Sequence, residues 1–189
     1  MKKGRLIVIS APSGTGKSTV VRKLCERMPE LEHSISSTTR SKRPGEVQGV
    51  HYDFISDAEF QKRKNAGYFL ECAQVHGASY GTPKNEIEKM LAQGKNILMD
   101  IDVQGGMQVK KNVPDAIMIF LLPPNMNVLE ERLRRRGTDR EEDVKTRLEN
   151  ANEELSYQDR YEHCFVNDDL EKTLSALQMV LKKYAHSNS

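Results

Sequence analysis

One segment constrains this chain more than any other: Ser10-Ala11-Pro12-Ser13-Gly14-Thr15-Gly16-Lys17-Ser18-Thr19. Ahead of it, Leu6-Ile7-Val8-Ile9 is short, apolar and β-branched, as a buried parallel strand should be; behind it, Val20, Val21 and Leu24 recur at helical spacing. Strand, tight loop and helix follow one another without a gap. A loop of small residues in that position turns backbone N–H groups toward phosphate oxygens, and the helix N-terminus adds partial positive charge. The expected anion cradle is Ala11, Pro12, Ser13, Gly14, Thr15, Gly16, Lys17, Ser18 and Thr19. Lys17 would reach the outer phosphates of a nucleoside triphosphate, and the Ser18 hydroxyl would ligate Mg²⁺. The phosphate-loop formula G-x-x-x-x-G-K-[ST] asks for Gly where this chain has Ala11, so the match is complete only from Gly14 onward.

Length and charge narrow the partners. At 189 residues the chain is expected to form one domain with a substantial core. Lys and Arg number 29 against 27 Asp and Glu, a net +2, so bulk charge does not suggest nucleic acid and any anion site must be local. Basic clusters lie at Arg40-Ser41-Lys42-Arg43 and from Arg132 to Arg136. Cys25, Cys72 and Cys164 are scattered with no C-x-x-C, which favours reduced thiols in the cytoplasm over disulfides or zinc. The apolar run behind Met1-Lys2-Lys3-Gly4-Arg5 is too short for a signal peptide, and no stretch approaches the roughly 20 apolar residues of a membrane span.

Further along, Pro29 should end the first helix at Met28. From His33 to Tyr52 the chain is crowded with hydroxyls, arginines and turn formers, poor material for a core and good material for a second phosphate site. Ser56-Asp57-Ala58-Glu59 is a capping box that opens a helix ending at Gly67. Residues 68–75 have strand composition, with Glu71 either on a solvent face or accepting hydrogen bonds from a ligand. Residues 76–81 read as a turn, with Thr82 and Pro83 starting the next helix and Gly94 closing it.

Ile97 to Asp102 reads as an apolar strand ending in two carboxylates, Asp100 and Asp102, on one face, so that one or both could hold Mg²⁺. Gly105-Gly106 then reads as a loop. Ala116 to Leu122 is the longest apolar run and should be a central strand; Leu129 and Leu133 mark one helix, and Val144, Leu148, Ala151 and Leu155 another. Between those helices, residues 134–143 lack a sizeable apolar side chain, so they form either a solvated connection or a segment able to close over phosphates. His163 to Val166 should be a last strand, followed by a turn at 167–169 and a helix along Leu170, Leu174, Leu177 and Leu181.

Taken with the loop at 11–18, the runs Ser36-Ser37-Thr38-Thr39-Arg40, Arg43-Pro44-Gly45-Glu46, Gly49-Val50-His51-Tyr52 and Asp100-Ile101-Asp102-Val103-Gln104-Gly105 resemble guanylate kinases, and the segment from Arg132 to Gly137 fits the same pattern. The resemblance implies an α/β fold of the P-loop kinase type: a five-stranded parallel sheet flanked by helices, a GMP-binding insertion at 34–92 and a mobile lid at 125–156, with the core at 1–33, 93–124 and 157–189. It assigns Arg40, Arg43, Tyr52 and Tyr80 to the GMP phosphate and Ser36, Glu71, Thr82 and Asp102 to the guanine base. Asp100 falls near the metal and the transferred phosphate, and Arg136 and Arg147 become lid arginines near the ATP phosphates. Lys17, Arg43, Arg136 and Arg147 would be catalytic, and Ser18 and Asp100 the metal-site residues.

The implied reaction is reversible, Mg²⁺-dependent transfer of the γ-phosphoryl group of ATP to GMP, with use of dGMP and oligomeric state left open. Guanine presents N1–H and an amino group side by side, and a carboxylate such as that of Glu71 accepts from both, whereas adenine N1 would repel it. A guanylate-kinase-like binding module is the rival from another class. Its usual sign is a degraded phosphate loop, and Gly16-Lys17-Ser18 is intact here.

Overall fold

The computed structural model describes residues 3–75, 77–135 and 141–186. The strands are β1 (Leu6–Ser10), β2 (Leu31–His33), β3 (Ser37–Thr38), β4 (Asp53–Phe54), β5 (Phe69–Val75), β6 (Ala78–Pro83), β7 (Asn96–Asp100), β8 (Ile117–Leu122) and β9 (His163–Val166). The helices are α1 (Lys17–Arg27), α2 (Asp57–Asn65), α3 (Lys84–Ala92), α4 (Val103–Asn112), α5 (Met126–Arg135), α6 (Glu141–Leu155) and α7 (Leu170–His186).

A five-stranded parallel sheet runs in the order β2-β7-β1-β8-β9. Its inner strands are covered on both faces, which explains why they read as continuous apolar runs: Val8, Ile9, Ile97, Leu98, Met99, Ile119, Phe120 and Leu121 are wholly buried. The outer strand β9 instead alternates half-buried and exposed positions. A second sheet runs β4-β3-β6-β5, with β3 parallel to β4 and antiparallel to β6, and β5 antiparallel to β6. Its β5–β6 register pairs Phe69 with Pro83 and Glu71 with Thr82, so Leu70 is an extra residue and the strand is bulged beside Glu71.

The chain forms two compact units, Met1–Val8 with Leu31–Ile117, and Ile9–Glu30 with Met118–Ser189. In the first, α4 lies along β5 and α3 against β5 and β7. In the second, α1 packs on α7, and α5 and α6 share a small core of Leu129, Leu133, Val144 and Ala151, flanked by Met126 and Leu148. Among the described residues no helix is long and apolar enough to cross a membrane.

Local signals mostly translate as expected. Helix α1 ends at Arg27 with Met28 as its cap, and the Ser56 hydroxyl caps α2 by accepting from the Glu59 N–H at 3.2 Å. Three expectations are corrected. Residues 78–81 are strand rather than turn, and Thr82 and Pro83 finish β6; α3 begins at Lys84, because the Thr82 hydroxyl is engaged by Glu71 and Ser36 rather than by a helix end. Strand β7 stops at Asp100, and Asp102 turns away to cap α4 by accepting from the Gly105 N–H at 2.8 Å, so the two carboxylates do not share a strand face. Gly105 and Gly106 are buried inside α4, not in a loop.

Candidate active site

The loop between β1 and α1 is built for an anion. Gly16 is the N-cap of α1 at φ 95°, a left-handed conformation that side chains disfavour, and a Cβ there would lie 2.8 Å from Asn167 Nδ2. No side chain caps α1 and no acidic residue occupies its first turn, which leaves that end suited to an incoming negative charge. The Ser13 N–H already donates to a carboxylate oxygen of Glu154 on α6, at 3.3 Å, so this amide faces a place where an anionic oxygen sits comfortably. Gly14 meets α5: a Cβ on it would be 2.9 Å from Leu133 Cδ2.

The loop's far side is held by its own carbonyl. Asn167 Nδ2 donates to the Thr15 oxygen at 2.8 Å, and Arg132 Nη1 donates to the same oxygen at 3.2 Å while its Nη2 reaches the Asn167 oxygen at 3.1 Å. Beside this clamp opens a cavity of about 410 Å³ lined by Gly14, Gly16, Thr19, Arg132, Arg135 and Asn167 among others. Sequence reasoning read Asn167 as a turn residue and missed this role; its signal is spatial, since it contacts a loop 152 residues away.

In the first unit, β5 and β6 bury a carboxylate. Glu71 is 4% exposed, which removes the solvent-face alternative. Thr82 Oγ1 donates to Glu71 Oε1 at 2.7 Å, and the Ser36 and Thr82 hydroxyls are 2.9 Å apart. A hydroxyl has one proton, so with Thr82 committed to the carboxylate, Ser36 must donate to Thr82. Ser36 thus donates to Thr82 and Thr82 to Glu71, a two-hydroxyl relay that ends on the carboxylate. The second carboxylate oxygen, Oε2, lies over Gly105, where an added Cβ would be only 2.5 Å away.

A cationic group lies in the same unit. The Arg40 guanidinium forks onto Glu46, Nη2 to Oε1 at 2.7 Å and Nη1 to Oε2 at 3.0 Å, and it lies 5.5 Å from the Tyr52 ring centre and 5.7 Å from that of Phe54. Glu46 also accepts from the Arg43 N–H at 2.7 Å, so one carboxylate ties both arginine positions of the loop together. The Arg40 fork, aided by the Arg43 amide, holds the Glu46 carboxyl below the ordinary 4.5 despite its partial burial. In the sequence Glu46 stands out only as the end of the run Arg43-Pro44-Gly45-Glu46, and no local signal marks it as an anchor. The Tyr52 and Tyr80 rings meet edge-on at 6.0 Å, and burial, then the nearby Asp100 charge, pushes the Tyr52 phenol up to about 12.

Ser36, Arg40, Arg43, Tyr52, Glu71, Tyr80, Thr82, Asp100 and Asp102 thus all fall in the first unit, while residues 11–19 and Arg147 fall in the second. Arg136 lies outside the described residues. Arg134, part of the same basic cluster, is paired with Glu130 at 2.8 Å and with Glu141, and so links α5 to the first turn of α6. Among the described residues no group of three or more His, Cys, Asp or Glu side chains could hold a metal by itself. Mg²⁺ keeps waters and takes one or two protein oxygens plus phosphate, so the oxygen donors of Ser18 and Asp100 are of a fitting kind.

The family model for guanylate kinase matches residues 3–184. The chain belongs to the guanylate kinase family. Guanylate kinases are ATP:GMP phosphotransferases. The chain is 47% identical over 181 residues to a guanylate kinase of Carboxydothermus hydrogenoformans, covering 96% of this chain and 89% of that one. It is 45% identical over 180 residues to a guanylate kinase of Idiomarina loihiensis, covering 94% and 86%. The crystal structure of guanylate kinase from Anaplasma phagocytophilum superposes with a TM-score of 0.80 at 32% identity, over 97% of this chain and 87% of that one. A shikimate kinase from Bacteroides thetaiotaomicron shares the fold at a TM-score of 0.52 and 15% identity, over 94% and 98%. The expected five-stranded parallel sheet flanked by helices is the guanylate kinase arrangement.

Proposed function

We propose that this chain transfers the γ-phosphoryl group of ATP to GMP, reversibly and directly, with residues 34–92 as the GMP-binding insertion and 125–156 as a lid over the donor phosphates. Glu71 reads guanine by accepting from N1–H and the amino group, supported by Ser36, Thr82 and Asp102. Arg40, Arg43, Tyr52 and Tyr80 take the acceptor phosphate. Two cations and two neutral phenols suit a dianion, and that phosphate, with a second pKa near 6, is a nucleophile at neutral pH without a dedicated base.

The cradle of residues 11–19 holds the donor phosphates, and Lys17, Arg43, Arg136 and Arg147 neutralise charge as the phosphoryl group moves. Mg²⁺, held by Ser18 and Asp100, would supply Lewis-acid neutralisation of the phosphate oxygens. Closing of the lid over the loop would exclude water that otherwise hydrolyses ATP. Three free cysteines suit a reducing compartment, and we assign the chain to the cytoplasm.

The observation that carries this reading is the buried Glu71 carboxylate, which accepts from the Thr82 hydroxyl with the Ser36 hydroxyl behind it; a buried anion of this kind suits the paired donors of a guanine edge. A coupled assay offering GMP, dGMP, AMP, CMP, UMP and dTMP in turn, with ATP and Mg²⁺, tests it. Activity confined to the guanine acceptors is expected; equal rates with AMP would end the reading.

A further inference from the structure

Helix α4 does more along β5 than cover it. Strand β5 is the last strand of its sheet, so the backbone groups of Leu70 and Cys72, on either side of Glu71, have no strand to pair with on the outer edge. Side chains of α4 take that place. Gln108 Nε2 donates to the Cys72 oxygen at 2.8 Å while the Cys72 N–H donates to Gln108 Oε1 at 3.1 Å, so one amide side chain imitates a neighbouring strand. Asn112 Nδ2 donates to the Leu70 oxygen at 2.9 Å, at the bulge.

Gly105, Gln108 and Asn112 are spaced so as to share one face of the helix. The start of that helix is set separately by the Asp102 cap on the Gly105 N–H. The face therefore grips β5 on both sides of Glu71 with two amides and meets the carboxylate itself with a residue that has no side chain. A Cβ at Gly105 would stand 2.5 Å from Glu71 Oε2 and 3.2 Å from its Cδ. Real Cβ atoms do not approach so closely, and the carboxylate is the movable partner, so it would be driven off its place by several tenths of an ångström.

We propose that Gly105 and Gln108 are positioning residues that set where the Glu71 carboxylate stands, and through it the preference for a base bearing both N1–H and a 2-amino group. This rests on the reading of Glu71 as the guanine acceptor. Gly105 leaves the room that Oε2 occupies, and Gln108 fixes the strand from which Glu71 projects. Guanine discrimination is then a property of α4 as much as of the strand that carries the carboxylate.

The test is the ratio of kcat/KM for GMP to that for inosine monophosphate, which keeps N1–H and lacks the 2-amino group. It is measured for the wild type and for Glu71→Ala, Gly105→Ala, Gln108→Leu and the Gly105→Ala/Glu71→Ala pair. Expected is a fall of about tenfold or more in the ratio for Glu71→Ala and for Gly105→Ala, and a smaller fall for Gln108→Leu, with KM for ATP within about twofold of wild type. Displacing a buried carboxylate costs some stability, so Gly105→Ala should melt a few degrees below wild type yet stay fully folded at the assay temperature, and the melting curve separates loss of positioning from loss of fold. On the Glu71→Ala background, where there is no carboxylate to displace, Gly105→Ala should change nothing further.

An unchanged ratio in Glu71→Ala removes the guanine-acceptor reading itself. A collapsed ratio in Glu71→Ala beside wild-type ratios in Gly105→Ala and Gln108→Leu leaves that reading standing and overturns the positioning role. An equal loss from Gly105→Ala on both backgrounds also overturns it, since the effect would then not pass through Glu71.

Discussion

Arg40 and Glu46 form a two-pronged ion pair, at 2.7 and 3.0 Å, six residues apart in a loop that has little regular structure to hold it. Each side chain is largely covered, with 16% and 17% of its area exposed, so the pair is shielded enough for its geometry to matter. The same carboxylate takes the Arg43 amide. An acidic residue thus shapes the loop proposed to take the acceptor phosphate.

Glu46→Gln should therefore raise KM for GMP by about tenfold while leaving KM for ATP within about twofold, because a neutral amide cannot hold the guanidinium by both prongs. Steady-state kinetics in both substrates checks this. Equal changes in both constants would mean that the loop serves the fold and not the acceptor.

Lys17→Ala should lower kcat by about a thousandfold or more, the scale of losing one aimed cation at developing charge. Its melting temperature should stay within a few degrees of wild type, since Lys17 is half-buried in the first turn of α1 and lies outside the apolar core. Full activity in this variant would exclude the phosphate-loop mechanism.

Asn167→Ala should act on the donor side. Removing its amide leaves the Thr15 oxygen to Arg132 alone, so the loop loses one buried neutral hydrogen bond, worth about 0.5–1.5 kcal/mol. The expected result is a KM for ATP raised about tenfold with KM for GMP nearly unchanged. A drop in melting temperature with both constants at wild-type values would confine Asn167 to a structural role.

Tyr52 should keep its proton far into the alkaline range, since burial and the Asp100 charge hold its phenol at about 12 against an ordinary 10. The folded state favours the neutral phenol, so its contribution to stability is intact below pH 10 and is lost as the pH climbs toward about 12. Difference absorbance of phenolate between wild type and Tyr52→Phe should place the ionisation of this tyrosine well above pH 10, at about 12. Ionisation near pH 10 would mean that the phenol is hydrated.

Much of the fold was legible because its signals are local. The β-branched run at 6–9, the small-residue loop behind it and the Ser56 capping box each act within a few residues, and each became the element it suggested. Misreadings arose where a distant partner competed for a local signal. Thr82 before Pro83 has the composition of a helix start, but its hydroxyl serves Glu71, eleven residues back. Gly105-Gly106 has the composition of a loop, but the Asp102 cap and the need for space beside Glu71 place it in a helix.

The sequence by itself determined the loop between β1 and α1, the apolar strands of the central sheet and the kinase family, because these depend on residues adjacent in the chain or on motifs in a set order. Tertiary structure alone decided that Glu71 is buried, that Ser36 and Thr82 form a hydroxyl relay ending on it, and that Glu46, Asn167 and Gln108 hold the groups around them. Hydrogen bonds and desolvation depend on distances in space, and packing brings together side chains that the order of residues keeps dozens of positions apart.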